Sequence, residues 1–484
     1  MRKILAALLA AALLTTSAAL AEEPAVYEAE NAAFTGKIAV SADREASGGK
    51  VVGRFESGAD TVTFTITVPA DGVYDLSFTC KGIGGGKYNN VLVDGQDVGQ
   101  FRCTGTTFER DTLQGVLLTA GEHSVTITPS WGWIYLDKLE VAAAEAIPDS
   151  VYGVEPVLVN PNANAAAQRV FAYLCESFGK VTLSGQVCDY GMLGPECRAI
   201  HAITGKYPAI LGLDMMDYTP SRTALGARGV AVDQAIKYHR EGGLIAFCWH
   251  WNAPTEYLRE GFDSNGNPRW WGGFYTDNTT FDIGAVMSGS DARGNELLDR
   301  DIAEIARQLL RLQDAGVTVL WRPLHEASGG WFWWGAKGAE PCKALWIYLY
   351  NELTFTYGCN NLIWVWNGQD AAWYPGDAYV DVIGEDIYAA KHSYGPQTAK
   401  FMQVLDYTDT NKIIALTENG VIPDIDQMIL SNTRWAWFNT WCGDFVQRNG
   451  RYVEDYTEAE ILRRVYASEY VITRDELPDF TADN

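Results

Sequence analysis

An all-β sandwich followed by a (β/α)8 TIM barrel is the multidomain architecture the sequence predicts, on three observations. Residues 61–68 alternate apolar and polar side chains, as a half-buried strand does. Beyond about residue 152 the pattern changes to short apolar runs separated by helix-like segments, the signature of a parallel sheet covered on its outer face. A chain of 484 residues has room for both units.

Taken in order, residues 1–21 read as an export leader, with Arg2 and Lys3 at the positive end, an apolar stretch over 4–14 and the small residues Ala19-Leu20-Ala21 before the cut. The apolar stretch is too short for a membrane span, so a secreted mature chain beginning near Glu22 is expected. Residues 22–142 carry further strand patterns at 73–79, 90–93 and 124–127 with Asp-Gly or Ala-Gly turns between several of them, which predicts a β-sandwich. An Ala-rich linker is expected at 143–151 and the barrel over 152–484. Its strands are expected at 181–184, 209–213, 244–249, 317–321, 362–366, 380–384, 413–417 and 435–438, with helices at 296–314 and 340–357 among the connections. The eight strands run into Gln186, Asp214, His250, Glu326, Asn367, Asp386, Glu418 and Asn439. Polar side chains at the C-terminal ends of barrel strands converge on one mouth, where such barrels keep their active sites.

Composition narrows the partners. There are 61 acidic residues against 37 basic ones, for a net charge of −24, which repels phosphate backbones and anionic lipid. Nucleic acid and membrane are therefore not expected as partners, a neutral polymer is compatible, and a monomer is expected. The 17 tryptophans have two readings, a large core or platforms for flat ligands such as sugar rings. Nine cysteines include no CxxC, the 6 histidines do not cluster, and His325-Glu326 lacks the second histidine of a zinc-peptidase motif. Catalytic zinc is not expected, and disulfide pairing cannot be read from spacing.

Two of the strand-end residues are glutamates, Glu326 on the fourth strand and Glu418 on the seventh. Cleavage of a glycosidic bond needs such a pair: one carboxylic acid protonates the leaving oxygen, and the other carboxylate attacks or activates water at the anomeric carbon. The plain alternative for any one of them is a salt bridge at the barrel rim.

The flanking residues make a resemblance. Trp321-Arg322-Pro323-Leu324-His325-Glu326-Ala327-Ser328-Gly329-Gly330-Trp331-Phe332-Trp333-Trp334-Gly335 resembles the acid/base segment of glycoside hydrolase family 26, and Leu416-Thr417-Glu418-Asn419-Gly420 resembles its nucleophile segment. The resemblance to the family's β-mannanases spans about residues 152–466. It implies a retaining, endo-acting hydrolase of mannan, galactomannan or glucomannan with no catalytic cofactor, Glu326 as acid/base and Glu418 as nucleophile. It further implies that His325 contacts the sugar or the nucleophile, that His250 lines the −1 subsite, that Tyr388 hydrogen-bonds the nucleophile, that Trp331 is a platform on the leaving-group side, and that Trp437 is the −1 floor. Trp270 or Trp271 is expected as a further wall; for each tryptophan a core role stays open. Because His325 and Glu326 are adjacent, the strand end must be irregular if both face the mouth.

Tyr27-Glu28-Ala29-Glu30-Asn31-Ala32, with Trp131-Gly132-Trp133-Ile134-Tyr135-Leu136-Asp137-Lys138-Leu139, resembles a family 35 carbohydrate-binding module. That implies a structural calcium, for which Glu28, Glu30 and Asp137 offer hard oxygen ligands. Glu28 and Glu30 would alternate onto one face, and an acidic pair in solvent is the alternative. Trp131, Trp133, Tyr88 and Asn89 are the expected sugar-binding surface. Three alternatives remain at this point: a β-1,3-xylanase, a mixed-linkage β-glucanase on the same fold, or a non-catalytic polysaccharide-binding protein.

Overall fold

The structure is a computed structural model in which residues 23–131, 133–188 and 194–481 are described; the leader expected at 1–21 lies outside them. The chain divides into two compact units, one carrying the sandwich and the other the barrel.

The sandwich consists of two antiparallel sheets. One orders Ala39–Ala42, Lys50–Gly53, Ile134–Ala143, Gly72–Gly82 and Glu109–Leu118, with Ala25–Glu28 added on Ile134–Ala143. The other orders Ala33–Phe34, Val62–Val68, Gly121–Trp131, Lys87–Val93 and Gln96–Cys103. The alternation read in the sequence becomes the strand Val62–Val68, whose Val62, Phe64, Ile66 and Val68 are buried between the sheets. They meet Leu76, Phe78, Val91, Phe101, Ile127 and Leu136 in one core, where Phe78 stacks on Phe101 at 4.3 Å. Burying each such side chain contributes roughly 1.5–3 kcal/mol.

The same alternation corrects one expected surface residue. In Lys87–Val93 the inward positions are Asn89, Val91 and Val93, while Tyr88 faces the other side. Asn89 is therefore buried in the sandwich, and it is not on a sugar-binding surface with Tyr88, because successive residues of a strand point to opposite faces.

In the second unit eight parallel strands close on themselves. They are β1 (Thr182–Val187), β2 (Ile210–Asp214), β3 (Leu244–Trp249), β4 (Val319–Pro323), β5 (Leu362–Trp366), β6 (Val382–Ile387), β7 (Ile413–Asn419) and β8 (Trp437–Thr440). Closure comes from β1, which pairs Gly185 with Ile210 of β2 and Leu183 with Trp437 of β8. The short strand Val471–Ile472 adds to β1 from outside. β3 and β5 have the expected limits; the other six run one to three residues further toward their C-terminal ends. The ladder of parallel hydrogen bonds continues past the last apolar residue into polar ones, so apolarity alone ends these strands too early.

Alternate residues face outward and receive the helices. Trp364 of β5 meets Trp346 at 5.6 Å and Tyr350 at 5.1 Å, both from the helix Ala339–Asn351. The helix expected at 340–357 stops there as an α-helix and continues as a π turn over Glu352–Thr356. The helix expected at 296–314 begins earlier, at Ala292–Asp314, because the Asp291 carboxylate accepts the Gly294 amide at 2.8 Å and caps it. Leu298, Ile302, Ile305, Leu309 and Leu312 recur along its buried face. Most of the tryptophan surplus is core: Trp249, Trp251, Trp321, Trp333, Trp334, Trp346, Trp364, Trp435 and Trp437 are fully buried.

Buried Asp381, just before β6, ties two segments together by accepting the amides of Val159 at 2.7 Å and Trp364 at 2.8 Å. Asp381→Ala leaves the buried Trp364 amide and the part-buried Val159 amide without this acceptor. The expected loss is about 3 kcal/mol, seen as a lower urea midpoint at unchanged slope; a change under about 0.5 kcal/mol would contradict this role.

Candidate active site

The mouth is built first by the end of β4. Pro323 is its last residue, and both Leu324 (φ 54°) and Glu326 (φ 52°) then take left-handed backbone, a conformation non-glycine residues adopt at a cost. The required irregularity is thus present, and His325 and Glu326 both reach the mouth. The Glu326 amide donates to the Asn367 carbonyl at 2.7 Å, which ties this turn to the end of β5. The loop then folds back so tightly that a Cβ on Gly335 would lie 1.9 Å from the Ala327 carbonyl oxygen; only glycine fits there. Trp331 returns its indole N–H to Glu326 Oε2 at 3.1 Å.

Arg322, one residue before the strand end, is buried among acids. Its guanidinium donates to Asp386 Oδ2 at 2.6 Å and Asn367 Oδ1 at 3.1 Å, and also to Glu418 Oε1. Tyr388 donates its hydroxyl to the other oxygen of Glu418 at 2.6 Å. Thr417 donates to the second oxygen of Asp386 at 2.7 Å. Both oxygens of Glu418 are thus engaged as hydrogen-bond acceptors, which fixes the orientation of the carboxylate. One carboxylate oxygen from each of Glu326, Asp386 and Glu418 lies within 4.8 Å of the others. Burial, then the Glu418 charge, push the Glu326 pKa up, which keeps this carboxyl protonated at higher pH than an exposed one. Asp386 is raised for the same two reasons, against the opposing pull of Arg322. Burial and then Glu418 raise the Tyr388 phenol, so it stays a donor.

A histidine pair forms the adjoining wall. His250, just after β3, has Nδ1 at 2.6 Å from Asp214 Oδ2, and its Nε2 is 3.3 Å from Nε2 of His325. Burial works against a charge on His250, but the Asp214 carboxylate outweighs it and the pKa is raised. His325 is driven well down by burial, Arg322 and His250 together and is neutral. The two Nε2 atoms share one hydrogen bond. The His325 carbonyl accepts the Trp334 indole at 2.9 Å.

Aromatic side chains rim this mouth, several of them not expected from sequence. The loop after β3 and the loop after β4 are stitched by Thr276, whose amide donates to the Trp331 carbonyl at 2.8 Å and whose hydroxyl donates to Gly330 O at 2.9 Å. This brings Phe274 to 4.7 Å from His250 and stacks Tyr275 on Phe332 at 5.5 Å. Trp331, Tyr275 and Tyr388 are exposed at 47%, 44% and 45%, unusual for such rings and suited to a flat ligand. Trp271 is also exposed, on the same loop; its ring meets Trp270 edge-on and its carbonyl accepts from Arg222.

Trp437 requires correction. It is the first residue of β8, 1% exposed, and lines the barrel interior beneath the mouth. Trp441 follows the strand end instead, partly exposed, with its ring edge-to-face with His250 at 6.0 Å. The strand begins two residues later than expected, so the tryptophan expected as the −1 floor is buried in the barrel interior and Trp441 is the one beside His250. Gln186 and Asn439 likewise stay inside: Gln186 donates to the Thr440 carbonyl at 3.0 Å, and Asn439 is packed against Gly185 and Gly212.

In the sandwich, Trp133 and Tyr88 are exposed, and the Trp131 side chain lies outside the described residues. Glu28 ends a strand and Glu30 sits in the 3-10 turn Ala29–Asn31, so the turn rather than strand alternation brings them together. Both approach Gly48, while Ser47 donates to Glu28 at 2.7 Å and to buried Asp137 at 3.0 Å through its amide. Glu30 Oε2 is buried without a partner. An orphaned buried carboxylate oxygen is the kind of group a hard cation would satisfy.

Residues 159–476 match the model of glycosyl hydrolase family 26, and residues 25–144 match that of carbohydrate binding module family 35. A mannan endo-1,4-β-mannosidase of Thermothelomyces thermophilus is 38% identical over 96% of this chain and 93% of its own. Mannan endo-1,4-β-mannosidase B of a Piromyces species is 35% identical over 95% of this chain and 78% of its own. Among solved structures, the Podospora anserina GH26-CBM35 β-(1,4)-mannanase is 38% identical, covers 95% of this chain and 100% of its own, and has a TM-score of 0.66. A β-mannanase from a symbiotic protist of the termite Reticulitermes speratus, complexed with gluco-manno-oligosaccharide, is 33% identical over 68% of this chain and 99% of its own, with a TM-score of 0.58.

The guanidinium of Arg322 is the shared partner of two buried acids. Arg322→Met is expected to cost about 3–5 kcal/mol, read from urea unfolding near neutral pH. A stability within about 1 kcal/mol of the parent would show that the acids find other partners.

Proposed function

The chain belongs to glycosyl hydrolase family 26, and from that membership and the mouth of its barrel we propose that it is an endo-acting, retaining hydrolase of β-1,4-mannosidic bonds, a mannan endo-1,4-β-mannosidase carrying a carbohydrate-binding module. One observation carries the mechanism: Glu326 and Glu418 each bring a carboxylate oxygen within 4.8 Å of the other, short of the roughly 6.5–9.5 Å that an inverting pair needs for its attacking water and in keeping with direct attack. The names of the similar mannanases support mannan over xylan or mixed-linkage glucan.

Glu418, aimed by Arg322 and Tyr388, attacks the anomeric carbon. Glu326, kept protonated by burial and by the charge of Glu418, gives its proton to the departing glycosidic oxygen. Once Glu418 is esterified its charge is gone, and the Glu326 pKa falls. Glu326 then takes a proton from the water that attacks the glycosyl ester, and Glu418 leaves with retained configuration at the sugar. Trp331, Tyr275 and Trp441 supply faces on which sugar rings lie, and the His250–His325 pair supplies fixed polar contacts for hydroxyl groups. The leader at 1–21 supports export. Glu28, Glu30 and Asp137 would hold a structural calcium, and Trp133 with Tyr88 offers a polysaccharide surface. A binder tethered to the catalytic unit raises its effective concentration on polymer.

Glu418→Ala is expected to reduce hydrolysis of galactomannan by about 10⁴-fold or more while leaving polymer binding intact; unchanged hydrolysis would reject the nucleophile. Because Glu326 must be protonated, activity is lost as pH rises through its raised pKa. Glu326→Ala should lower kcat by roughly 10²–10⁴-fold and abolish that alkaline limb. Reducing ends released from galactomannan and glucomannan, but not from β-1,3-xylan or mixed-linkage glucan, are the expected substrate pattern; activity on the latter two alone would overturn the substrate. For the calcium, chelation should lower the melting temperature and added Ca2+ restore it, with Glu30→Gln insensitive to both; an unresponsive parent would reject the site.

A further inference from the structure

We propose that Asp214, Cys248 and His250 form a binding site for a thiophilic divalent cation of the Zn2+ or Cd2+ class, and that its occupation inhibits the enzyme. The fold puts the three donors together. Asp214, the last residue of β2, pairs in register with Cys248 of β3. His250 follows two residues later, so the strand period turns its side chain to the same inner face as Cys248. One donor atom from each residue lies within 4.8 Å of the other two. Nδ1 of His250 is 2.6 Å from Asp214 Oδ2 and 4.0 Å from Cys248 Sγ. Tetrahedral zinc with bonds of about 2.0–2.3 Å places its ligands roughly 3.3–3.7 Å apart, so only small shifts of the imidazole and carboxylate are required. Cys248 also lines the cavity beneath the mouth, together with Gly212, Arg322 and Thr417.

Charge and softness decide which ion, and where. Zn2+ would displace two protons, one from the Cys248 thiol and one shared between His250 Nδ1 and Asp214. Both leave to solvent, and the cluster keeps its net charge in a poorly solvated place. A thiolate, an imidazole and one carboxylate select zinc or cadmium over magnesium or calcium. The competing carboxylate trio, Glu326, Asp386 and Glu418, is equally compact but all-oxygen. Two of its members are already ion-paired to Arg322, and a metal bound there would have to displace that guanidinium. Inhibition follows because His250 leans on His325, the neighbour of Glu326; an ion that draws Nδ1 toward Asp214 and Cys248 moves the imidazole and disturbs its Nε2 contact with His325. This consequence rests on the mannanase reading, whereas binding itself does not.

The test uses the full-length protein saturated with Ca2+, titrated with Zn2+ in two parallel assays, calorimetry and galactomannan hydrolysis. The parent should bind Zn2+ and lose activity as it binds. Cys248→Ala should keep its metal-free activity, lose one binding event, and need at least about tenfold more Zn2+ for half-inhibition, a difference of about 1.4 kcal/mol. Mg2+ should not inhibit the parent. Equal zinc sensitivity in parent and variant, no inhibition of the parent at millimolar Zn2+, or equal potency of Mg2+ would each overturn the proposal. Should Cys248→Ala misfold by circular dichroism, Cys248→Ser preserves the volume, and the same criteria apply. Zinc bound through Cys248 in a chain that hydrolyses no mannan would reject the mannanase reading and leave the metal site standing.

Discussion

The buried guanidinium of Arg322 is the constraint on which the mouth of the barrel depends. It stands one residue before the end of β4 and donates to Asp386 from β6, to Glu418 from β7 and to Asn367 after β5. A cation removed from water is tolerable only when fully paired, and the acids it pairs would be equally costly alone. Four consecutive strand ends are thereby joined through one planar group. Arginine suits the place better than lysine, because its rigid fork meets several acceptors at fixed angles and keeps its charge.

That single cation also divides the labour between two glutamates of one chemical type. Glu418 receives Arg322 and Tyr388 directly and keeps both oxygens engaged as acceptors. Glu326 receives only the Trp331 indole, sits in poorly solvated surroundings and faces the charge of its neighbour. One carboxyl is fixed by donors on both oxygens, and the other is pushed toward its protonated form. This is how an acid and a nucleophile are made from the same side chain at one pH. The histidine pair repeats the device on the adjoining wall, where Asp214 raises the His250 pKa against burial, while burial, Arg322 and His250 lower that of His325.

Backbone conformation does the remaining work. Left-handed turns at Leu324 and Glu326 let adjacent residues face one site, and the close approach at Gly335 folds the aromatic loop over the acid. The hydrogen bonds from Thr276 then lock the two loops together and create a rim from Tyr275, Trp331 and Phe332. None of these contacts is local in sequence, which is why Phe274, Tyr275 and Trp441 escaped a reading by motif. Asn89 was misplaced for the opposite reason. A polar residue in a Gly-rich stretch suggested a loop, where the strand Lys87–Val93 in fact turns it inward.

The sequence by itself determined the two units, their order, and the eight strand–helix repeats. Period and apolarity are properties of contiguous residues, and a folded chain must bury them one way. It also determined both glutamates, because they end strands within motifs that leave little freedom. Only the tertiary structure decided which tryptophans face ligand and which fill the core. A shift of two residues along β8 moves Trp437 into the interior and brings Trp441 to the wall, and the ladder with β1 and β7 sets that register. It alone decided that Arg322, unremarked in its motif, gathers four strand ends, and that Asp214, Cys248 and His250 meet. Such convergence depends on the closure of the barrel, which brings distant residues within hydrogen-bonding distance and has no local signature in the chain.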